Sequence, residues 1–175
     1  MPDGTPGTGL DGRLRPSAPL RGGPQPLLRL CDPAKTQVVD EQEKPISLVL
    51  FSGTDDKLNA AAVLTVGAAA MGRPVNVFLQ YYALDAFRSG HVTADHALSS
   101  EATAAQAPVV RAHPGQHWSE LFKQAKDVGE VNIQACALSM EMFHLKQADL
   151  DPMVDGTEGV AAFMASASDG QVVFI

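Results

Sequence analysis

Short apolar runs alternate with longer amphipathic segments from residue 46 onward. The run ISLVLFS (46–52) is rich in β-branched and large apolar residues, which is typical of a parallel strand covered on both faces. PVNVFLQY (74–81), VNIQA (131–135) and QVVFI (171–175) have the same character. We therefore predict four parallel strands, with a possible fifth, short edge strand around Met153–Val154.

The first helix is predicted directly after the first strand. Gly53 breaks the apolar run, and Thr54 offers an N-cap with Asp55 and Asp56 in the first turn, where acidic side chains complement the helix dipole. The pattern then continues to about Met71. The two strands and this helix form a βαβ unit, which is right-handed by default.

Three further helices are predicted over 117–129, Ser139 to Leu145, and Thr157 to about Ser168. By contrast, residues 82–115 are poorly patterned and interrupted by prolines, so we predict mostly surface loop there, with a short helix around 94–105. Alternation of strands and helices at this spacing predicts an α/β protein. The expected architecture is a three-layer α/β/α sandwich on a mostly parallel sheet of four or five strands.

The beginning of the chain differs from the rest in composition. Residues 1–30 are dense in glycine and proline and show almost no periodicity. Such a segment buries too little apolar surface to offset the entropy of ordering it. We therefore expect 1–44 to be a disordered tail and linker, and 45–175 to be one folded domain.

Charge and composition exclude several classes of function. The 175 residues include 13 Lys and Arg against 20 Asp and Glu, and the excess of acidic residues falls after position 45. An acidic domain without a basic stripe repels phosphate backbones, so nucleic acid is not an expected partner. There is neither a secretory signal pattern nor an apolar run long enough to span a membrane. With only two cysteines, the chain is expected to be soluble and cytoplasmic.

The candidate for chemistry is Cys136, which lies where the third predicted strand gives way to a helix. Ligands in open α/β sheets bind at the carboxyl ends of strands. A solvent-accessible thiol there would face the amino end of a helix, whose field favours the nucleophilic thiolate. Ser139 is predicted to cap that helix, Met140 to lie beside the thiol, and Gly53 and Thr54 to shape the opposite rim. A buried, inert cysteine remains the alternative.

Neither a cofactor nor a metal is predicted. The turn SGTDDK (52–57) lacks the glycine and lysine pattern of a phosphate-binding loop, and its two aspartates would repel phosphate. The histidines show none of the spacings that hold zinc.

Two segments resemble the DsrE/DsrF/DsrH-like family of sulfur-relay proteins, in the single-chain branch that is often labelled a peroxiredoxin family. They are LVLFSGTDDKLNAAAVLTVGAAAMGRPVNVFLQYYAL (48–84) and GEVNIQACALSMEMFHLKQADLDPMVDGTEGVAAFMASASDGQVVFI (129–175). Within the second segment, Cys136, Ser139 and Met140 carry the most specific part of the likeness. DsrE itself has its sulfur-accepting cysteine after the second strand, where this chain has QYYALDAF without one.

The resemblance implies a flavodoxin-like fold, homo-oligomers such as trimers or hexamers, and persulfide chemistry on Cys136. The implied partners are other sulfur carriers, such as TusA-like proteins or rhodaneses. Two other hypotheses stay open: a thiol peroxidase or redox sensor that uses Cys136, and a non-catalytic interaction module in which this cysteine is buried and inert. The role of Cys31, as a possible resolving thiol in the tail, is also open.

Overall fold

The computed structural model describes residues 44–112 and 115–175, which form a five-stranded parallel sheet flanked by helices. The strands are β1 (Ile46–Leu50), β2 (Val75–Leu79), β3 (Val131–Cys136), β4 (Gly156–Glu158) and β5 (Gln171–Phe174). Their order in the sheet is β4-β3-β2-β1-β5, and every neighbouring pair is parallel. The helices are α1 (Asp55–Ala70), α2 (Tyr81–Ala86), α3 (Gln106–Arg111), α4 (Trp118–Val128), α5 (Ala137–Met142) and α6 (Val160–Ser166), with a 3-10 turn at Gln147–Asp149.

The strand order explains why helices cover both faces of the sheet. From β1 to β4 each strand is added on the same side of the previous one, and right-handed connections therefore keep α1 and α4 on one face. The chain then returns across the whole sheet to place β5 beside β1, so α6 crosses the opposite face. The predicted three-layer α/β/α architecture is confirmed.

The main hydrophobic core lies between the sheet and the pair α1 and α4. Alternate side chains of β1, β2 and β3 point into it, among them Leu48 and Leu50 of β1 and Ile133 of β3, all at most 1% exposed. The small residues of α1 let it approach the sheet closely, while Trp118 and Phe122 of α4 supply aromatic bulk. This core holds the strand ends in a fixed register.

The opposite face of the sheet is thinly covered. Its buried cluster consists of Val49, Phe78, Cys136, Phe163 and Ala167. Phe163 is the only buried residue within α6, so a single short helix seals this face. At the β5 edge of the same face, Val172 and Phe174 remain 50% and 65% exposed.

The boundaries of several elements differ from the predictions. The fourth strand is Gly156–Glu158 rather than a segment around Met153–Val154, because Asp155 first turns the chain by accepting a hydrogen bond from the Ile133 amide through Oδ2, at 2.8 Å. The last helix begins at Val160, three residues later than predicted. The short helix predicted around 94–105 is wrong: these residues form turns, and α3 occupies Gln106–Arg111.

The predictions for residues 1–43, including the tail and Cys31, lie outside the described residues. Between Lys44 and Ile175, leaving aside 113–114, no helix is long and apolar enough to cross a membrane.

Candidate functional site

Cys136 lies where the sequence predicts it, at the carboxyl end of a strand. It is the last residue of β3 and also the N-cap of α5, which begins at the next residue. Its partner across the β3–β4 pair is Glu158, so an acidic residue lies opposite it at the sheet edge. Cys136 is the free cysteine of the described range.

The surroundings of the thiol differ from the prediction in two respects. The side chain is 3% exposed and points away from α1 and α4, into the apolar cluster under α6. No hydrogen bond from α5 reaches it, and α5 has only six residues. The expectation of a solvent-accessible thiol that faces helix amides is therefore wrong. Alternation along β3 is the physical reason: Ala135 fills the main core, so Cys136 must face the other side.

The aromatic packing around this cluster is tight. The rings of Phe78 on β2 and Phe163 on α6 are stacked, with centroids 4.5 Å apart and planes 9° apart. Since Phe163 belongs to α6, the stack ties that helix to β2, the strand next to the one that carries Cys136. Cys136 is therefore buried in the same apolar cluster as the residue that docks α6 on the sheet.

Ser139 has a different role from the predicted N-cap. It lies inside α5, 1% exposed, and its hydroxyl accepts a hydrogen bond from the Tyr81 amide at 3.1 Å. Tyr81 begins α2 with φ of 44°, a left-handed conformation that is uncommon for a bulky residue and costs about 1–3 kcal/mol. Ser139 thus joins the end of β2 to the end of β3. Met140, beside it, is 6% exposed and packs into the main core.

A cleft of about 520 Å³ opens at the carboxyl ends of β1 and β2, and we call it the tyrosine cleft. Its wall includes the turn Ser52–Thr54 after β1, Tyr81 and Tyr82 after β2, and Phe143 after α5. Thr54 is the N-cap of α1, as predicted, although its hydroxyl bonds to that of Ser52 at 3.1 Å rather than to the helix.

Gly53 is required by a close backbone approach at the same place. A Cβ atom on residue 53 would clash with the carbonyl oxygen of Tyr82, far inside contact distance. Any larger residue would push the turn after β1 away from α2. Gly53 and Thr54 are predicted to form the rim opposite Cys136; in the structure they line the tyrosine cleft, whose wall does not include Cys136.

The two aspartates at the start of α1 anchor residues 96–99 through hydrogen bonds. Asp55 accepts hydrogen bonds from the His96 amide at 2.9 Å and from the Trp118 indole at 3.3 Å. Asp56 accepts from the amide and hydroxyl of Ser99. Asp55 and Asp56 thus lie in the first turn of the helix, as predicted, and they also anchor residues 96–99. The sequence pattern did not indicate this second role.

The protonation of Asp56 should make this anchor sensitive to acid. Burial raises the pKa of Asp56, but hydrogen bonds, those from Ser99 foremost, together outweigh it and bring the pKa below its ordinary value of 3.8. A carboxyl group with a depressed pKa stabilises the fold above its unfolded pKa, and this contribution is lost as the pH falls through the folded value. Stability from Asp56 is therefore fully present at neutral pH and lost below about pH 4.

We expect Asp56→Asn to lower the free energy of unfolding at neutral pH and to flatten its decline between neutral pH and about pH 3, as measured by urea titration. The control is Glu101→Gln, because Glu101 forms only an exposed ion pair with Lys57 at 3.8 Å. Equal acid dependence in wild type and Asp56→Asn would contradict the anchoring role.

Metal ligands do not converge in the described part of the chain. Among residues 44–112 and 115–175, no three His, Cys, Asp or Glu side chains lie close enough together to hold an ion.

Sequence reasoning missed several residues that shape the site. Tyr81 ends the second predicted strand and Tyr82 begins the segment predicted as loop, and neither is predicted to line a site. For Phe163 the sequence predicts core packing, with a collar around the thiol as the alternative. Two adjacent tyrosines directly after a buried strand are a usable signal, since strand ends in open α/β sheets carry binding residues. The left-handed conformation of Tyr81 and the stack of Phe163 on Phe78 depend on tertiary contacts, which no local pattern encodes.

An open, all-parallel α/β sheet with a cysteine at the carboxyl end of its third strand defines the class of this domain. Comparison with known proteins gives the family. The model of the DsrE/DsrF/DrsH-like family matches residues 42–114 and 98–175. The chain therefore belongs to this family, as the motif around Cys136 predicts, and membership supports a role related to sulfur relay.

Two similar proteins extend the comparison. The uncharacterized protein YrkE of Bacillus subtilis (strain 168) is 30% identical over 156 residues, spanning 75% of this chain and 96% of the relative. The protein of unknown function MTH1491 from Methanobacterium thermoautotrophicum has a TM-score of 0.51 at 12% identity, over 76% of this chain and 100% of its own. The second likeness concerns the fold alone.

Proposed function

We propose that this protein carries sulfane sulfur as a persulfide on Cys136 and passes it to other sulfur carriers. The observation that carries the proposal is the position of the thiol: it ends a central strand, forms no capping bond, and is sealed by one seven-residue helix. The family supports the chemistry. In this proposal α6 is displaced when a donor or acceptor docks.

The transfer step is a thiol exchange that needs no external oxidant. The Cys136 thiolate attacks the outer sulfur of a donor persulfide, R–S–SH. A new S–S bond forms on Cys136, the donor S–S bond breaks, and the electron pair leaves with the donor thiolate R–S⁻. Attack by an acceptor thiolate on the outer sulfur of the loaded cysteine then regenerates the Cys136 thiolate. TusA-like proteins or rhodaneses are the proposed donors and acceptors.

The experiment that tests this is incubation of the full chain with polysulfide or a persulfurated rhodanese, followed by intact mass spectrometry. We expect an adduct of about 32 Da, the mass of one sulfur atom, that dithiothreitol removes. A protein that stays unmodified while a control sulfur carrier is loaded would contradict the proposal.

A second candidate is a non-catalytic binding module with an inert cysteine. The observation in its favour is the 3% exposure of Cys136 in an apolar cluster. It predicts that native Cys136 resists both iodoacetamide and persulfide donors, whereas the carrier hypothesis predicts modification by both. A thiol peroxidase would instead form sulfenic acid rapidly with peroxide.

We further propose that the chain forms homo-oligomers, trimers or hexamers, through the face that α6 covers incompletely. The support is a set of half-exposed apolar side chains on α6 and β5: Val160, Met164, Val172 and Phe174. Contiguous apolar surface of this kind is typical of a subunit contact. Sedimentation velocity tests this, and a monomer at micromolar concentration would contradict it.

A further inference from the structure

The tyrosine cleft has the size and position of a small-molecule site, and it is separate from Cys136. Its volume of about 520 Å³ falls within the usual range for such sites, roughly 300–1,000 Å³. It lies at the carboxyl ends of the adjacent parallel strands β1 and β2, where open α/β sheets bind ligands. The chemistry of its lining indicates which class of ligand it would take.

The charged groups around the cleft are already paired with one another. Asp85 accepts a hydrogen bond from Arg88 at 3.1 Å, and its other oxygen lies 3.6 Å from the His91 ring. The ring of His96 contacts the His91 carbonyl at 3.1 Å. Because these groups already have partners, an uncharged compound can bind without disturbing the pairs, and the lining favours it.

The other groups of the lining that a ligand could contact are mainly aromatic rings. Tyr81 and Tyr82 both pack against Phe51, with centroids 4.9 Å and 5.6 Å away, and these contacts fix the orientation of the rings. Tyr82 is nevertheless 62% exposed, and Phe143, which also lines the cleft, is 40% exposed. Neither tyrosine hydroxyl has a partner among the described residues. Flat ring faces beside two tyrosine hydroxyls match a planar aromatic ligand that carries a polar group.

Backbone strain in the described chain is concentrated at this cleft. Only Tyr81 and His144, among the described non-glycine residues, have positive φ, at 44° and 54°. Tyr81 lines the cleft, and His144 lies between the lining residues Phe143 and Leu145. Strained backbone of this type persists where the surroundings enforce it and clusters at ligand sites. Here the Ser139 hydroxyl enforces it by holding the Tyr81 amide.

We propose that the tyrosine cleft binds a small, uncharged, planar aromatic compound bearing a hydroxyl or similar polar group. The ring stacks on Tyr82, and the polar group bonds to the tyrosine hydroxyls. This site is independent of the proposed persulfide function, because Cys136 does not line it.

The test is an amide NMR titration of the full chain with naphthol, compared with naphthoate, which carries a charge, and with decahydronaphthol, which lacks the aromatic ring. We expect saturable shifts for naphthol at residues 52–54 and 81–88. We expect binding of the other two compounds to be weaker by about tenfold or more.

Variants separate this site from general hydrophobic binding. Tyr82→Ala should weaken naphthol binding about tenfold, whereas Tyr82→Phe should keep it within about threefold because the ring remains. Leu138→Ala, which removes an exposed apolar side chain outside the cleft, should have no effect. Cys136→Ser should also bind normally, which distinguishes this proposal from the persulfide one. Three results would overturn the proposal: no saturable shift, equal affinity for naphthoate, or unchanged binding in Tyr82→Ala.

Discussion

Replacing Cys136 with serine is expected to abolish the persulfide adduct completely. Serine keeps the small size of the residue, but its hydroxyl does not attack a sulfane sulfur at neutral pH, so the mass increase of about 32 Da should disappear. The substitution places a polar hydroxyl in the apolar cluster under α6, which destabilises by roughly 1–3 kcal/mol. Cys136→Ala, which avoids this cost, should lose the adduct equally.

The chain offers a matched control for this experiment. Cys31 is its second cysteine, so Cys31→Ser removes one thiol and leaves Cys136 in place. We expect Cys31→Ser to acquire the same adduct as wild type. If the adduct persisted in Cys136→Ser and disappeared in Cys31→Ser, the residue that accepts sulfur would be Cys31. That result would overturn the assignment to Cys136.

Weakening the contact between α6 and the sheet is expected to accelerate the modification of Cys136. Phe163 is the buried residue of α6 and is stacked on Phe78 at 4.5 Å. In Phe163→Leu the ring stack is lost while most of the volume remains, which should cost about 0.5–1.5 kcal/mol. If α6 opens locally, the exposed population, and with it the rate of alkylation by iodoacetamide, should rise roughly two- to tenfold.

Phe163→Ala should give a larger effect in the same direction. Truncation of a buried phenylalanine costs about 3–5 kcal/mol, so the alkylation rate should increase by about a hundredfold or more if the cost falls on α6 docking. Persulfide loading should accelerate in parallel. Phe163→Leu remains informative if Phe163→Ala does not fold.

The measurement is the rate of iodoacetamide alkylation under native conditions in a Cys31→Ser background, so that only Cys136 reacts. Val128→Ala is the matched control, because Val128 is an apolar residue of α4, on the other face of the sheet, and is 54% exposed. Rates that are identical in wild type and both Phe163 variants would show that the thiol does not depend on α6 for access. If wild-type Cys136 were alkylated only at the rate expected from global unfolding, that would likewise show that access does not depend on local opening of α6.

The fold was largely predictable because its signals are local. Residues 46–52 and 74–81 are apolar and β-branched, the segment between them has helical spacing, and Gly53 with Thr54 marks the boundary. Each of these features depends only on residues that are close together in the sequence. The short fourth strand and the region 82–112 were predicted poorly, because β4 has three residues and the turns there depend on Asp55 and Asp56 accepting distant amides.

The candidate site was predictable in position but not in environment. The strand-to-helix boundary placed Cys136 at the carboxyl edge of the sheet, as the structure has it. The face that it occupies depends on strand register and on the return of the chain over the sheet as α6, and both are long-range properties. Ser139 illustrates the same limit, since its partner, Tyr81, is 58 residues away.

Hydrophobic periodicity and turn residues determined the class of this domain, the order of its main elements and the location of its thiol, because each depends on interactions within a few residues. Only the tertiary structure decided that the thiol is closed under α6 and that two tyrosines form a separate cleft. The reason is that side-chain burial is set by which strands become neighbours, and the sheet order β4-β3-β2-β1-β5 brings together residues that are far apart in the sequence.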